Sequence, residues 1–253
     1  MHIVHTSYGN DSVALLQWCL EKGLEEVHAL HCSTGWSAPW WEERIARCQD
    51  WAQSCGIETH YIASEGMESL VRRKKAWPFN GAQFCTKELK VEPANKWMAE
   101  VDPDGDAICL VGVRRAESRH RQSWPEWTYD SGGHGGRDLW APLVNHSNEE
   151  RDALLDRAGF EALPHRSMEC FPCINSNRGD FLELTEGRIA EIEALEESMG
   201  ITSNGKPRTM FRPHRHQGAV GIREVVKWAR FGDYDKDQPM LFGGGCDSVW
   251  CEV

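Results

Sequence analysis

No apolar run in this chain reaches the roughly 20 residues that a membrane-spanning helix needs, so no membrane partner is expected. Its first residues, Met1-His2-Ile3-Val4-His5, lack the basic start and apolar stretch of a secretory leader, and a cytoplasmic location is the expectation. Positive charge is also in deficit. The 28 Lys and Arg are outnumbered by 39 Asp and Glu, giving a formal net charge of −11. That excludes a nucleic-acid binder working by bulk charge, because such proteins need a cationic surface to displace counterions. A local basic cleft stays open. Repeats and low-complexity segments are missing, and the 11 His are scattered with no nucleophile elbow, so a Ser-His-Asp hydrolase cannot be argued. What remains is a globular balance, 40% hydrophobic and 26% charged over 253 residues, enough for one large domain or a domain with an appendage.

Short apolar runs alternate with helical patterns in the first half. Ile3–His5, Val27–His31, Glu58–Ile62 and Ala107–Val111 read as strands. Helical spacing covers Ser12–Leu20, Pro39–Ser54 and Glu88–Val101. Strands and helices in this alternation predict an α/β fold, an open parallel sheet with helices on both faces. Beyond Pro142 come helices over Asn148–Ala158, Thr185–Met199 and Gly221–Arg230, with Ser147 or Asn148 as the N-cap of the first. A boundary near residue 165 divides an α/β domain, 1–165, from a smaller helical and Cys-bearing segment, 166–253.

Two basic stretches stand out against the acidic background. Arg72-Arg73-Lys74-Lys75, followed by Trp77 and Phe79, reads as a solvated helix face or as a grip for DNA with a stacking aromatic. Arg208, Arg212, His214, Arg215 and His216 form the second patch. Trp36, Trp40, Trp41 and Trp51 lie at helical spacing and read as core.

Ten cysteines in a reducing compartment point to metal ligation or thiol chemistry before disulfides. Cys19, Cys32, Cys48, Cys55 and Cys109 sit in apolar or helical patterns and read as small core residues. Cys85, Cys170, Cys173, Cys246 and Cys251 lie in loop-like segments. The two thiols of Cys170-Phe171-Pro172-Cys173 can chelate one soft metal centre, with Pro172 stiffening the turn. Four such ligands would suit either an iron–sulfur cluster or tetrahedral zinc.

The segment after the first strand, Ser7-Tyr8-Gly9-Asn10-Asp11-Ser12, suits an anion. Gly lets the backbone approach closely, Ser hydroxyls and amides donate, and the following helix adds positive potential. The plainer alternative is a helix cap. The hexapeptide resembles the pyrophosphate loop, Ser-x-Gly-x-Asp-Ser, of the adenine-nucleotide alpha-hydrolase superfamily. Tyr8 stands where many members have Gly, and Asn10 where many have Lys, so phosphate charge must be met from elsewhere. Cys32-Ser33-Thr34-Gly35-Trp36 is similar to the family's Asp-Thr-Gly element, with Ser33 in place of the acid. Gly112-Val113-Arg114-Arg115-Ala116-Glu117-Ser118-Arg119 resembles the Gly-x-Arg-x-x-Glu-Ser-x-Arg segment of phosphoadenosine-phosphosulfate reductase-like proteins. Its arginines can fork onto phosphate or sulfate.

Cys85-Thr86-Lys87-Glu88-Leu89-Lys90-Val91-Glu92-Pro93 resembles the Cys-bearing Lys-x-x-Pro segment of the same family, and Cys170 and Cys173 its downstream pair. The resemblance implies ATP and Mg2+, with Ser7, Gly9, Asp11, Ser12, Thr34, Gly35, Gly112, Arg115 and Glu117 at the nucleotide, and Asp11, Ser12, Arg114 and Arg119 in catalysis. It implies a [4Fe-4S] cluster on Cys85, Cys170 and Cys173, where spacing alone allows zinc equally. Cys251, Cys246 or an outside group would be the fourth ligand. The implied activity is an ATP pyrophosphatase that adenylates an acceptor for sulfur insertion. Its closest look is to the DNA phosphorothioation components and their phage-encoded relatives. A cysteine desulfurase, other modification subunits and DNA are the implied partners. The alternatives are a sulfonucleotide reductase, although the terminal Glu-Cys-Gly-type element is replaced by Trp250-Cys251-Glu252-Val253, and a nucleotide-binding subunit without catalysis.

Overall fold

A computed structural model describes residues 1–79, 81–211 and 220–231. In chain order the elements are β1 (His2–His5), α1 (Asn10–Glu21), β2 (Val27–Ser33), α2 (Trp41–Ser54), β3 (Glu58–Ala63), α3 (Met67–Lys74) and α4 (Phe84–Thr86). A π-helical turn, Lys87–Val91, leads into α5 (Glu92–Val101), followed by β4 (Ile108–Leu110), β5 (Trp127–Ser131) and β6 (Arg137–Trp140). Then come α6 (Asn148–Arg157), α7 (Arg178–Leu182), α8 (Glu186–Met199) and α9 (Gly221–Phe231). No helix among the described residues is long and apolar enough to cross a membrane.

The chain forms two compact units. In the first, six strands make one sheet in the order β3-β2-β1-β4-β6-β5. β1 pairs in parallel with β2 on one side and β4 on the other, so Val4 lies between Ala29 and Leu110. Ile3 and Val4 point to opposite faces and are both fully buried, so both faces of β1 are covered. Ile3, Leu30, Cys109, Val111 and Leu139 share one core with Ala94 and Met98 of α5. All adjacent pairs are parallel except β5 with β6, which is antiparallel.

The four expected strands and the α/β architecture are present. The expectation of a purely parallel sheet needs one correction: β5 and β6 return on each other through Gly132-Gly133-His134-Gly135-Gly136 and give the sheet an antiparallel edge. Strands this short and polar, joined through glycines, carry no alternation long enough to read. A buried ion pair anchors β6: Asp102 Oδ2 accepts from Arg137 Nε at 2.6 Å and from the Ala107 amide at 3.1 Å.

The second unit contains α3 and α7–α9. The sequence placed a single boundary near 165, whereas the described chain divides between Phe171 and Pro172, and Met67–Cys85 groups with the C-terminal helices. Phe181 and Phe211 meet edge to face at 4.9 Å. The Glu196 carboxylate accepts from the amides of Met210 at 2.8 Å and Ile222 at 3.0 Å, and so serves as the cap of α9. Burial pushes that carboxyl up.

Candidate functional site

In an open α/β sheet the ligand crevice forms where neighbouring strands send their connections to opposite sides. Here that point is β1 against β4, because β2 and β3 extend the sheet one way and β4, β6 and β5 the other. The loop after β1 and the loop after β4 both open there. Gly112 brings them together: a Cβ on it would stand 2.9 Å from the Asp11 carbonyl carbon and oxygen and 3.1 Å from the Ser12 nitrogen. Only a residue without a side chain fits against the first turn of α1.

The N-cap position of α1 is held by Gly9, which has no side chain of its own to cap the first turn. By contrast, Ser147, Asn177 and Thr185 each cap their own helices, α6, α7 and α8. The α1 amides face the crevice end of the sheet with the positive end of a 12-residue helix behind them.

The two departures from the family pattern have local reasons. Tyr8 takes a left-handed backbone, φ 57°, which is where glycine is free of strain and a bulky residue is not. Its side chain is fully buried, its amide donates to Thr6 Oγ1 at 2.9 Å, and its carbonyl accepts from Arg44 Nε at 2.7 Å. Those contacts offset the backbone cost. Asn10 has a structural job in place of phosphate binding: its carboxamide donates to the Leu163 carbonyl and accepts from the Leu163 amide, both at 2.9 Å. It ties Leu163 to the loop.

Arg114 is 2% exposed and its guanidinium is directed inward. Nε donates to Asp11 Oδ1 and Nη1 to Asn148 Oδ1 at 3.1 Å. Its amide donates to Glu117 Oε2 at 2.9 Å, and that carboxylate also pairs with Arg121. Arg115 spends its donors on the Trp124 carbonyl and on Asn145 Oδ1. Arg119 is exposed. Among the three motif arginines, then, two build the loop and one faces solvent.

A second wall was not visible in the motifs. Thr34 donates from its amide to Glu169 Oε1 at 2.7 Å and from Oγ1 to the Glu169 carbonyl at 2.8 Å. His31 places Nε2 3.3 Å from Glu169 Oε2, while its Nδ1 lies 2.9 Å from the Thr6 carbonyl. Glu169 is 2% exposed and Lys90 4%. Burial alone would raise the Glu169 carboxyl, but His31 and Lys90 beside it, with the Thr34 amide, hold it below the ordinary carboxylate range. Sequence offered one hint of this, a Glu next to Cys170, and nothing for His31.

Cys170 Sγ lies 3.7 Å from Thr34 Oγ1. Cys85, Cys170 and Cys173 are partly exposed, whereas Cys19, Cys32, Cys48 and Cys109 are buried. Burial pushes the thiols of Cys19, Cys32 and Cys109 up to about 12. Cys55, expected in the core, is exposed at the end of α2, because that helix closes there in a turn. Trp40 is likewise exposed, whereas Trp36 and Trp41 are buried. Trp77 is 4% exposed and donates Nε1 to the Arg208 carbonyl, so it offers no face for a base; Phe79 is exposed. Cys246, Cys251, Arg212, His214, Arg215 and His216 lie outside the described residues.

The Glu169 cluster has a pH signature with a definite sign. A carboxyl held low in the folded state contributes stability that is complete above its unfolded value, about 4.3, and fades as pH falls through the folded value. Glu169→Gln should cost about 1–3 kcal/mol in urea unfolding near neutral pH. The difference from the unsubstituted protein should shrink below about pH 4. A difference that stays flat down to acid would show that the charge on Glu169 is not what holds this wall.

A family model, the phosphoadenosine phosphosulfate reductase domain, matches residues 1–193. A curated relative, the "Uncharacterized 37.8 kDa protein in gpa 5'region" of Escherichia phage 186, is 27% identical over 188 residues, 68% of this chain and 55% of that protein. The chain thus spans about half the length of that relative. Similar solved structures include phosphoadenylyl-sulfate reductase from Candida auris as a phosphate complex, at 16% identity and TM-score 0.46, covering 64% of this chain and 75% of that one. NMN synthetase from Francisella tularensis has 12% identity and TM-score 0.47, covering 90% and 83%. The U34-tRNA thiolase NcsA from Methanococcus maripaludis, with its [4Fe-4S] cluster, has 13% identity and TM-score 0.47, covering 98% and 79%. With the family model spanning most of its length, this chain belongs to the phosphoadenosine phosphosulfate reductase domain family, within the adenine-nucleotide alpha-hydrolase superfamily.

Proposed function

We propose that the chain is an ATP pyrophosphatase that adenylates an oxygen on its acceptor so that sulfur can replace it, in DNA phosphorothioate modification. The glycine-capped first turn of α1 at the β1/β4 switch point carries this reading, because it offers backbone amides and a helix dipole to a polyanion where the family binds its nucleotide. The acceptor oxygen attacks the α-phosphorus, the bond to the β-phosphate oxygen breaks, and pyrophosphate leaves with the electron pair. Ser7, Ser12 and the amides around Gly9 stabilise the departing charge. Thr34 and Gly35 are assigned to the nucleotide from the end of β2. Gly112 keeps the crevice narrow. Arg114 acts as a positioning residue that fixes Asp11, and the exposed Arg119 is the arginine assigned to the phosphates.

Mg2+ would be held by phosphate oxygens together with Asp11, and would supply charge neutralisation. The thiols of Cys85, Cys170 and Cys173, partly exposed where the core cysteines are buried, fit a soft centre. They would hold a [4Fe-4S] cluster, or zinc, with Cys251 as the candidate fourth ligand. A cysteine desulfurase is the assigned source of persulfide sulfur, with other modification subunits presenting the DNA.

A second reading, a reductase releasing sulfite from a sulfonucleotide, draws on the family model itself. Incubating the full chain with ATP, Mg2+ and DNA and following pyrophosphate separates the two. Release should be seen with ATP, and Asp11→Asn, which keeps an oxygen to accept from the buried Arg114, should lower it at least about a hundredfold with the circular dichroism unchanged. Normal release by that variant would reduce the loop to a fold element. Thioredoxin-dependent sulfite release from adenosine phosphosulfate would favour the reductase instead.

The metal is tested separately. Protein purified without oxygen should be brown and contain iron and acid-labile sulfide. Cys170→Ser with Cys173→Ser should bleach it, since an alcohol is a poor ligand for a soft centre, while Cys109→Ser should not. A colourless preparation with stoichiometric zinc would replace the cluster by zinc, and one without metal would return these cysteines to thiol chemistry.

A further inference from the structure

β2 and β3 bring together three ligating side chains that the nucleotide site does not use. His28 stands opposite Glu58 in the register, and His60 lies two residues further along β3, on the same face as Glu58. His28 Nδ1 is 3.0 Å from His60 Nε2 and 3.5 Å from Glu58 Oε2, and that oxygen is 4.0 Å from His60 Nε2. Among the described residues, this is the group of three or more His, Cys, Asp or Glu whose ligand atoms converge within 4.8 Å.

A hydrogen bond between the two rings explains only one of the three distances. Glu58 brings one oxygen toward both nitrogens and hydrogen-bonds neither at normal length. The three separations, 3.0, 3.5 and 4.0 Å, bracket the edge of a tetrahedron around zinc, roughly 3.3–3.6 Å for metal–ligand bonds of about 2.0–2.2 Å. Two imidazoles and a carboxylate are a donor set for borderline divalent ions. The Trp97 ring closes one side, 4.4 Å from the His60 ring, and Glu58, 71% exposed, leaves the other side open to water.

We propose that His28, Glu58 and His60 form a divalent transition-metal site, zinc being the ion that fits, with water in the fourth position. The site clips the edge strand β3 to β2. It is separate from the nucleotide site: His28 precedes Ser33 by five residues on β2, roughly 16 Å along the strand from its crevice end. It does not depend on the proposed activity.

The test is zinc titration of the full chain against a competing chelator, together with anaerobic cobalt titration. The unsubstituted protein should bind one more zinc than the double variant His28→Gln, His60→Gln, and the additional zinc should raise its melting temperature. The additional cobalt should give visible ligand-field bands without the thiolate charge-transfer band that a cysteine site produces. Glu58→Gln, at an exposed position that leaves folding intact, should weaken this zinc at least about tenfold, the loss already typical when only a ligand's outer partner is removed. Equal stoichiometry in the unsubstituted protein and the double variant would overturn the site, as would unchanged zinc affinity in Glu58→Gln.

Discussion

Gly112 lets the end of β4 lie so close to α1 that one added methyl group would stand 2.9 Å from the Asp11 carbonyl. The rest of the crevice follows from that approach. With the two loops in contact, Arg114 can reach back from the β4 side to Asp11, and Asn148 at the start of α6 can share its guanidinium. Asp11 is thereby fixed by a buried cation from another loop and is not left to rotate on a helix end. A larger residue at 112 would separate the loops and leave Arg114, 2% exposed, without its carboxylate. Removing one partner of a buried charge pair is the costly case, about 3–5 kcal/mol.

The same economy of charge appears on the β2 side. Glu169 is buried with His31 and Lys90 around it and the Thr34 amide bonded to it, so one carboxylate orders the turn that follows β2. Tyr8, meanwhile, tolerates a left-handed backbone inside the loop because its ring is fully buried and its amide and carbonyl are both bonded. Strain of this kind persists only where surrounding contacts over-determine it. The loop geometry is therefore set before any ligand arrives.

The sequence carried the parallel strands and most of the long helices well. α1, α2, β1–β4, α6, α8 and α9 lie within a few residues of where the sequence pattern placed them, and Ser147, one of the two residues read as the N-cap of α6, caps it. β5 and β6 were hard to read because they are only five and four residues long: Trp127-Thr128-Tyr129-Asp130 alternates over just four positions, and the four glycines that follow break the pattern. α3, Met67–Lys74, agrees with the helix-face reading of the basic run and begins five residues before it. In the site, the motif residues at the strand ends could be named, but not their division of labour: whether Arg114 faces a ligand or a carboxylate depends on a contact spanning more than 100 residues. His31, Glu169 and the His28–Glu58–His60 group depend on strand register and burial, and neither can be read from spacing.

The central claim is that the amides in the first turn of α1 receive the phosphates of ATP. Hydrogen exchange read peptide by peptide tests it most directly, since an amide that gains a bonded ligand exchanges more slowly. With saturating ATP and Mg2+, peptides spanning residues 6–13 should gain protection, and those spanning 111–119 should follow through the Gly112 contact. Unchanged exchange in residues 6–13, with ATP bound elsewhere or not at all, would contradict the account.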